Sequence, residues 1–268
     1  VRSASFKPTA TRAFAVLLIV AVLAPTPAHA EKVTCAPGER LDVVSYDWKL
    51  KGFLSFIAGL KFPTRGTGAL ATLYHADGTA DTELRIIADE RNGDRYHYRS
   101  VIDLEENRTL VSVDGYHFDG RTKSDTTTFD YEKGKARRVR LDTKKGDGET
   151  IRFETFSGTN VKDVLTSIYH IRQTAGEMDE PQRHGVFAGG KIYEVLITPG
   201  STRMFQFDGR TLEARVFTIT ATPENRDKWP GDVNVWITTD EDRLPVQIDL
   251  GKSMASLRLD AVRRFSCP

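Results

Sequence analysis

Residues 160–172 carry the one long helical signal in a chain whose other apolar residues repeat at the period of strands. Val161, Val164, Leu165, Ile168 and Ile171 recur at i, i+3, i+4 and i+7 spacing, so a helix places them on one face. Asn160 is the expected N-cap, Asp163 sits near the positive end of the helix, and Gly176 is the expected stop. A single amphipathic helix among strands has to bury its stripe against a sheet. The expected fold is therefore mainly β (a β-rich α+β chain): a single strongly curved antiparallel sheet, or half-open barrel, with one long amphipathic helix on its concave face.

The strand signals come at near-regular spacing on both sides of the helix. Leu41, Val43, Val44, Tyr46 and Trp48 open the series over 40–50. Segments 69–74, 82–88, 95–104, 108–118, 126–131, 136–142 and 150–156 continue it, and 191–198, 203–207, 212–221, 233–238, 244–250 and 254–265 follow the helix. Asp77-Gly78, Asn92-Gly93, Asp119-Gly120 and Gly189-Gly190 punctuate them as turns. No linker composition divides 31–268, which is expected to form one domain.

Residues 1–30 read as a leader to be removed. Arg2, Lys7 and Arg12 precede an apolar run over 13–23, Pro25 and Pro27 break it, and Ala28-His29-Ala30 has the small–x–small pattern of a cleavage site. The run is short for a membrane span, although an uncleaved anchor is the alternative. Export to the periplasm follows as the expectation. The only cysteines, Cys35 and Cys267, stand near opposite ends of the remaining chain, and in an oxidising compartment they are expected to pair. Lys32-Val33-Thr34 lacks the small apolar run that precedes a lipid-modified cysteine, so a lipoprotein is not expected.

The segment 53–62 is the most apolar stretch outside the leader and the helix. Phe53, Phe56, Ile57 and Leu60 keep helical spacing, with Gly52 and Gly59 at the shoulders and Pro63 as a stop. Leaving these side chains in water would forfeit on the order of 10 kcal/mol. They are expected to pack as a short helix on the sheet, or to form the rim of a ligand cavity or of a membrane or protein contact.

Motifs for chemistry are sparse. His75, His97, His117, His170 and His184 contain no i, i+4 pair and no His-Glu-x-x-His, so no metal site is expected. There is no Gly-x-Ser-x-Gly elbow and no glycine-rich phosphate loop. Asp240-Glu241-Asp242 lacks calcium-loop spacing and reads as a hairpin turn. The basic block Lys133, Lys135, Arg137, Arg138, Arg140, Lys144 and Lys145 reads as a solvated hairpin face, with anionic headgroups as the sharper alternative. A formal net charge of +1 provides no electrostatic reason to expect nucleic acid. No catalytic residue and no cofactor are expected.

Three blocks in order, 38–48 from Gly38-Glu39-Arg40-Leu41 to Trp48, 163–172 and Val235-Trp236-Ile237-Thr238 followed by Arg243-Leu244-Pro245-Val246, resemble the bacterial exported family known as domain of unknown function 3108. That resemblance implies a periplasmic β-rich protein and brings no catalytic residues. The architecture looks like the lipoprotein-carrier type of half-open barrel, in which a curved sheet cups a helix. On the residues themselves, Pro245 suits the start of a strand. Arg172 and Arg243 are candidates to answer a buried carboxylate, Asp163 or Asp240.

The functional expectation is an exported, non-enzymatic binder or carrier of an apolar ligand: a lipid, an acyl chain or an apolar peptide. Trp48, Phe53, Phe56, Ile57, Leu165, Ile168 and Trp236 are the candidate cavity residues, with a possible envelope-protein or membrane contact through 53–62. The alternative is a structural or assembly protein of the cell envelope with a filled core.

Overall fold

The structure is a computed structural model. It describes residues 39–51, 64–89, 94–145, 149–156, 160–222, 231–252 and 255–267, all within one compact unit spanning Thr34–Pro268. The expected leader over 1–30, Cys35 and the apolar segment 53–62 lie outside the described residues.

Strands dominate, as the alternation predicts. The first group is β1 (Arg40–Lys51), β2 (Arg65–Tyr74), β3 (Thr79–Ala88), β4 (Arg95–Asp103), β5 (Arg108–Phe118), β6 (Arg121–Asp130), β7 (Lys135–Asp142) and β8 (Thr150–Thr155). A short strand β9 (Val161–Asp163) leads directly into the helix α1 (Val164–Thr174). Then follow β10 (Gln182–Ala188), β11 (Lys191–Phe207), β12 (Arg210–Ala221), β13 (Asp232–Thr238), β14 (Pro245–Lys252) and β15 (Ala255–Cys267).

These strands form one 15-stranded sheet in the order β8-β7-β6-β5-β4-β3-β2-β1-β15-β14-β13-β12-β11-β10-β9. It is two meanders joined where the first and last strands pair, from Leu41 opposite Cys267 to Lys51 opposite Ser256. Only the pairing of β9 with β10 is parallel. Asp119–Gly120 and Gly189–Gly190 both have positive φ at each central residue, the turn whose twist matches a two-residue hairpin.

The sheet curls until the β9 edge approaches the inner side of β5. No backbone ladder joins those two strands; side chains close the seam. The Tyr131 hydroxyl lies 2.7 Å from the Thr109 carbonyl and 2.9 Å from that of Val161. The Asp163 N–H donates to Thr109 Oγ1 at 2.8 Å. Phe129, Ala136, Val161 and Phe187 bury one another there, with the Phe129 and Phe187 rings edge to face at 5.2 Å. The result is the expected open, curled sheet, with a single α-helix inside it among the described residues.

The helix stripe is buried as its spacing predicts: Leu165, Ile168 and Ile171 are at most 3% exposed. They pack against Leu84 and Ile86 of β3, Val186 of β10 and Val235 of β13 in the main core. Each such side chain contributes about 1.5–3 kcal/mol by leaving water. Two features of the helix differ from expectation. Its N-cap is Asp163, not Asn160, because 161–163 are drawn into the sheet as β9, and the Asp163 carboxylate accepts from Thr166 N at 2.8 Å. It ends at Thr174 with Ala175 as C-cap in right-handed geometry, short of Gly176.

The carbonyl end is held from outside the helix. Arg243 Nη1 donates to the Arg172 carbonyl at 3.4 Å and to that of Gln173, satisfying groups that have no partner within the helix. Arg172 in turn donates to Asp42 Oδ2 at 2.7 Å and, through Nε, to the Arg243 carbonyl at 3.0 Å. The carboxylate that answers Arg172 is therefore Asp42 on β1, in place of the expected Asp163 or Asp240, and Arg243 answers carbonyls. Asp240 instead accepts from Thr238 Oγ1 at 2.6 Å in the β13–β14 turn. Pro245 begins β14, and its carbonyl accepts from the buried Tyr46 hydroxyl at 2.7 Å.

Candidate functional site

Between α1 and the inner faces of β3–β7 lies a cavity of about 390 Å³. That is within the range of small-molecule pockets, roughly 300–1,000 Å³. One wall is apolar, built by Val164, Leu165 and Ile168 of α1 with Leu84, Val233 and Leu250 of the sheet. The helical stripe explains it: Leu165 and Ile168, which anchor α1 to the core, border the cavity, and half-buried Val164 sits beside them.

The opposite wall is polar because β4–β7 alternate in phase. Ser100, Ser112, Thr127 and Arg138 occupy opposed positions on neighbouring strands and so share one face. Asp125 stands on the same face, 5% exposed, and receives Arg138 through Nε at 3.3 Å and Nη2 at 2.9 Å. Arg140 also grips it, at 2.7 and 2.9 Å, and Lys123 Nζ lies 3.3 Å away. Burial alone would raise the Asp125 carboxyl, but these cations overcome it and hold its pKa far below the usual range. Asp163 behaves oppositely. Burial raises it, although Ser100 Oγ and Thr166 N donate to its oxygens. Asp114 and Asp232 line the cavity where it opens to solvent.

The sequence-derived cavity residues divide. Leu165 and Ile168 line the cavity. Trp48 is 4% exposed in the main core, its indole N–H donating to the Ile87 carbonyl at 2.7 Å, and lies outside the lining. Trp236 alternates out of phase with Val233 and Val235, so it occupies the other face of β13, with its ring 5.3 Å from that of Phe205 and under the Arg203 guanidinium at 4.5 Å. The two tryptophans therefore do not share a concave face. Phe53, Phe56 and Ile57 lie outside the described residues. Cys267 is 9% exposed on β15, opposite Leu41.

The basic block is also divided by strand alternation. Arg137 is exposed, whereas Arg138 faces the cavity and is 9% exposed. The signal was present in the sequence as Ala136, Arg138 and Arg140 on one side of a strand, but only the register told which side was inner.

A second polar cluster lies beside the helix. His170 of α1 and His184 of β10 meet edge to face, with ring centroids 4.7 Å apart. Asn107 Nδ2 is 2.7 Å from His170 Nδ1, and Gln182 Oε1 is 3.4 Å from His170 Nε2 and 3.3 Å from His184 Nε2. Lys162, fully buried, donates to Asn160 Oδ1. Burial, and for the histidines the neighbouring cation, lowers His170 and His184 to about 4 and Lys162 to about 8. His75, His97 and His117 are separate: they meet Asp81 at 3.1 Å, Glu83 at 2.9 Å and Thr122 at 2.8 Å. Among the described residues no three His, Cys, Asp or Glu side chains converge as a metal site would require.

A curled sheet with a helix inside and a ligand-sized cavity, as the described residues form them, defines a β-barrel-like protein. The chain belongs to the family described as protein of unknown function (DUF3108), whose model matches residues 61–262. Its fold is similar to that of the beta-barrel-like protein of domain of unknown function DUF1849 from Brucella abortus, with a TM-score of 0.56 and 11% sequence identity over 85% of this chain and 98% of that one. At that identity the likeness is one of fold alone. No curated protein matches the sequence.

Proposed function

We infer that this is an exported, periplasmic, non-enzymatic binding or carrier protein whose cavity takes an apolar ligand: a lipid, an acyl chain or an apolar peptide. The observation that carries the reading is the apolar side of a cavity of about 390 Å³, lined by Val164, Leu165 and Ile168 of α1 and by Leu84, Val233 and Leu250 of the sheet. An aliphatic ligand there would bury the half-buried Val164 and Leu250. The leader-like pattern over 1–30 and the two widely separated cysteines support the compartment, where Cys35 and Cys267 form a disulfide.

A second reading, an assembly protein of the envelope acting through its surface, draws on the edge strand β8. Ile151 and Phe153 are 47% and 70% exposed there, and Leu141 of the neighbouring β7 is 45% exposed. Native mass spectrometry of protein purified from its own host decides between them. The carrier reading expects co-purified lipid, and uptake of a fluorescent fatty acid after the lipid is stripped. Protein that is ligand-free as isolated and takes up no probe favours the assembly reading.

A further inference from the structure

The sheet has an open edge at β8, which no strand covers on its far side among the described residues. Neither a proline nor a register shift interrupts β8, which runs along β7 from Thr155 opposite Lys135 to Thr150 opposite Arg140. All of it but Glu154 is exposed, Phe153 most of the apolar residues at 70%. Phe153 and Ile151 share the outer face, on which Leu141 of β7 is exposed as well. A free edge that carries apolar side chains is a template for another strand.

The ladder with β7 fixes which backbone groups are free. The Phe156 N–H donates to the Gly134 carbonyl at 2.9 Å, in the register of that ladder. Antiparallel alternation then turns the N–H and C=O of Arg152 and Glu154 toward β7, and those of Ile151, Phe153 and Thr155 to the open edge. A second β8 running antiparallel can meet these three in registers centred on Arg152, Phe153 or Glu154. The first sets Arg152 against Arg152 and the last Glu154 against Glu154, both repulsive. Centring on Phe153 sets Arg152 against Glu154 at both ends and stacks Phe153 on Phe153. Within the chain Arg152 faces Arg138 and Glu154 faces Ala136 across the ladder, so neither charge is answered there.

We propose that β8 pairs with β8 of a second copy of this chain, antiparallel and centred on Phe153, so that the sheet continues from one molecule into the next. Both the free backbone groups and the charges of the strand are self-complementary in that one register. The contact closes as a dimer, because the same patch serves both copies and the other sheet edge, β9, is turned in against β5. It holds whether or not the cavity takes a ligand, since no residue of β8 lines the cavity.

Sedimentation equilibrium at pH 7, on protein purified from its own host, tests this. The wild type is expected to show a monomer–dimer equilibrium. Arg152→Glu sets acid against acid in both cross-strand pairs, and Glu154→Arg sets base against base, so each alone weakens self-association about tenfold or more. An equimolar mixture of the two variants makes both pairs complementary again and dimerises about as tightly as the wild type. Neither position is buried, so both variants keep the Tm of the monomer. A wild type that stays monomeric up to its solubility limit overturns the proposal and leaves the edge to a strand of another protein. A dimer that neither variant weakens, or that their mixture does not restore, lies on another surface and overturns it as well.

Discussion

Removing the carboxylate of Asp42 provides the most direct test of how the helix is held. Asp42 is 7% exposed and accepts from Arg172 at 2.7 Å and from Arg264 at 2.9 Å. In Asp42→Ala, Arg172 loses the one carboxylate it meets among the described residues, while its side chain stays 9% exposed and keeps one bond to the Arg243 carbonyl. Arg264 is less affected, since it retains Asp242 at 2.6 Å and its side chain is 24% exposed. Breaking one partner out of a buried pair costs about 3–5 kcal/mol, and the solvated Arg264 places this case at the low end. For a chain of this size about 3 kcal/mol corresponds to a fall of roughly 6–12 °C in Tm.

Urea unfolding at pH 7 measures that cost. Replacing both groups, as Asp42→Ala with Arg172→Met, removes the orphaned charge and should recover about 1 kcal/mol or more relative to additivity. The loss should also depend on pH. Burial raises the Asp42 carboxyl, but Arg172 and Arg264 lower it on balance below its ordinary value of 3.8. Its stabilisation is therefore complete above about pH 3.8 and disappears as pH falls through the lower folded-state value. The wild type and Asp42→Ala should converge in acid. A loss under about 1 kcal/mol at pH 7, or no recovery in the double variant, would refute the view that Asp42 is the counter-charge of the helix.

Three further outcomes are expected. Leu165→Ala removes a side chain that is 3% exposed and should cost about 2–5 kcal/mol in chemical denaturation; a cost below about 0.5 kcal/mol would show that α1 is not held by its stripe. Thiol titration of the denatured, unreduced 31–268 chain should find no free thiol, and Cys267→Ser should lower the Tm; two titratable thiols would reject the disulfide. His170 and His184 are held neutral, at about 4 against an ordinary 6.5, so folding is favoured above pH 6.5 and this contribution is lost progressively as pH falls toward 4, by on the order of 2–3 kcal/mol for each histidine once solvent screening is discounted. Denaturation at pH 7 and pH 4.5 measures it, and a His170→Phe, His184→Phe variant with the same pH slope as wild type would contradict it.

Much of the fold was readable along the chain because its signals are local. Every second residue of Thr79–Ala88 is buried, as a half-buried strand requires, and the Asp119–Gly120 and Gly189–Gly190 turns carry the residues that tolerate positive φ. The stripe of Leu165, Ile168 and Ile171 likewise needs only helical periodicity to be recognised. Strand β10 was missed because 182–188 places Gln, Arg, His and Gly ahead of its only apolar run, and 191–207 was read as two strands because Pro199 and Gly200 imitate a break that the sheet spans with a register shift.

The site depended on information that no local pattern holds. Asn160 and Asp163 are both competent caps, and the choice was made when Ser100, Thr109 and Thr166 arrived around Asp163 from β4, β5 and the helix itself. Arg172 finds Asp42 across 130 residues of sequence. The period of a strand says that Arg137 and Arg138, or Val235 and Trp236, face opposite ways, but it is silent on which way is inward. Sequence alone thus determined the elements, since each is encoded by neighbours within a few residues. The inner face, the ion pairs and the cavity were decided only by the curl of the sheet, which sets the sign of that alternation and brings distant side chains within bonding range.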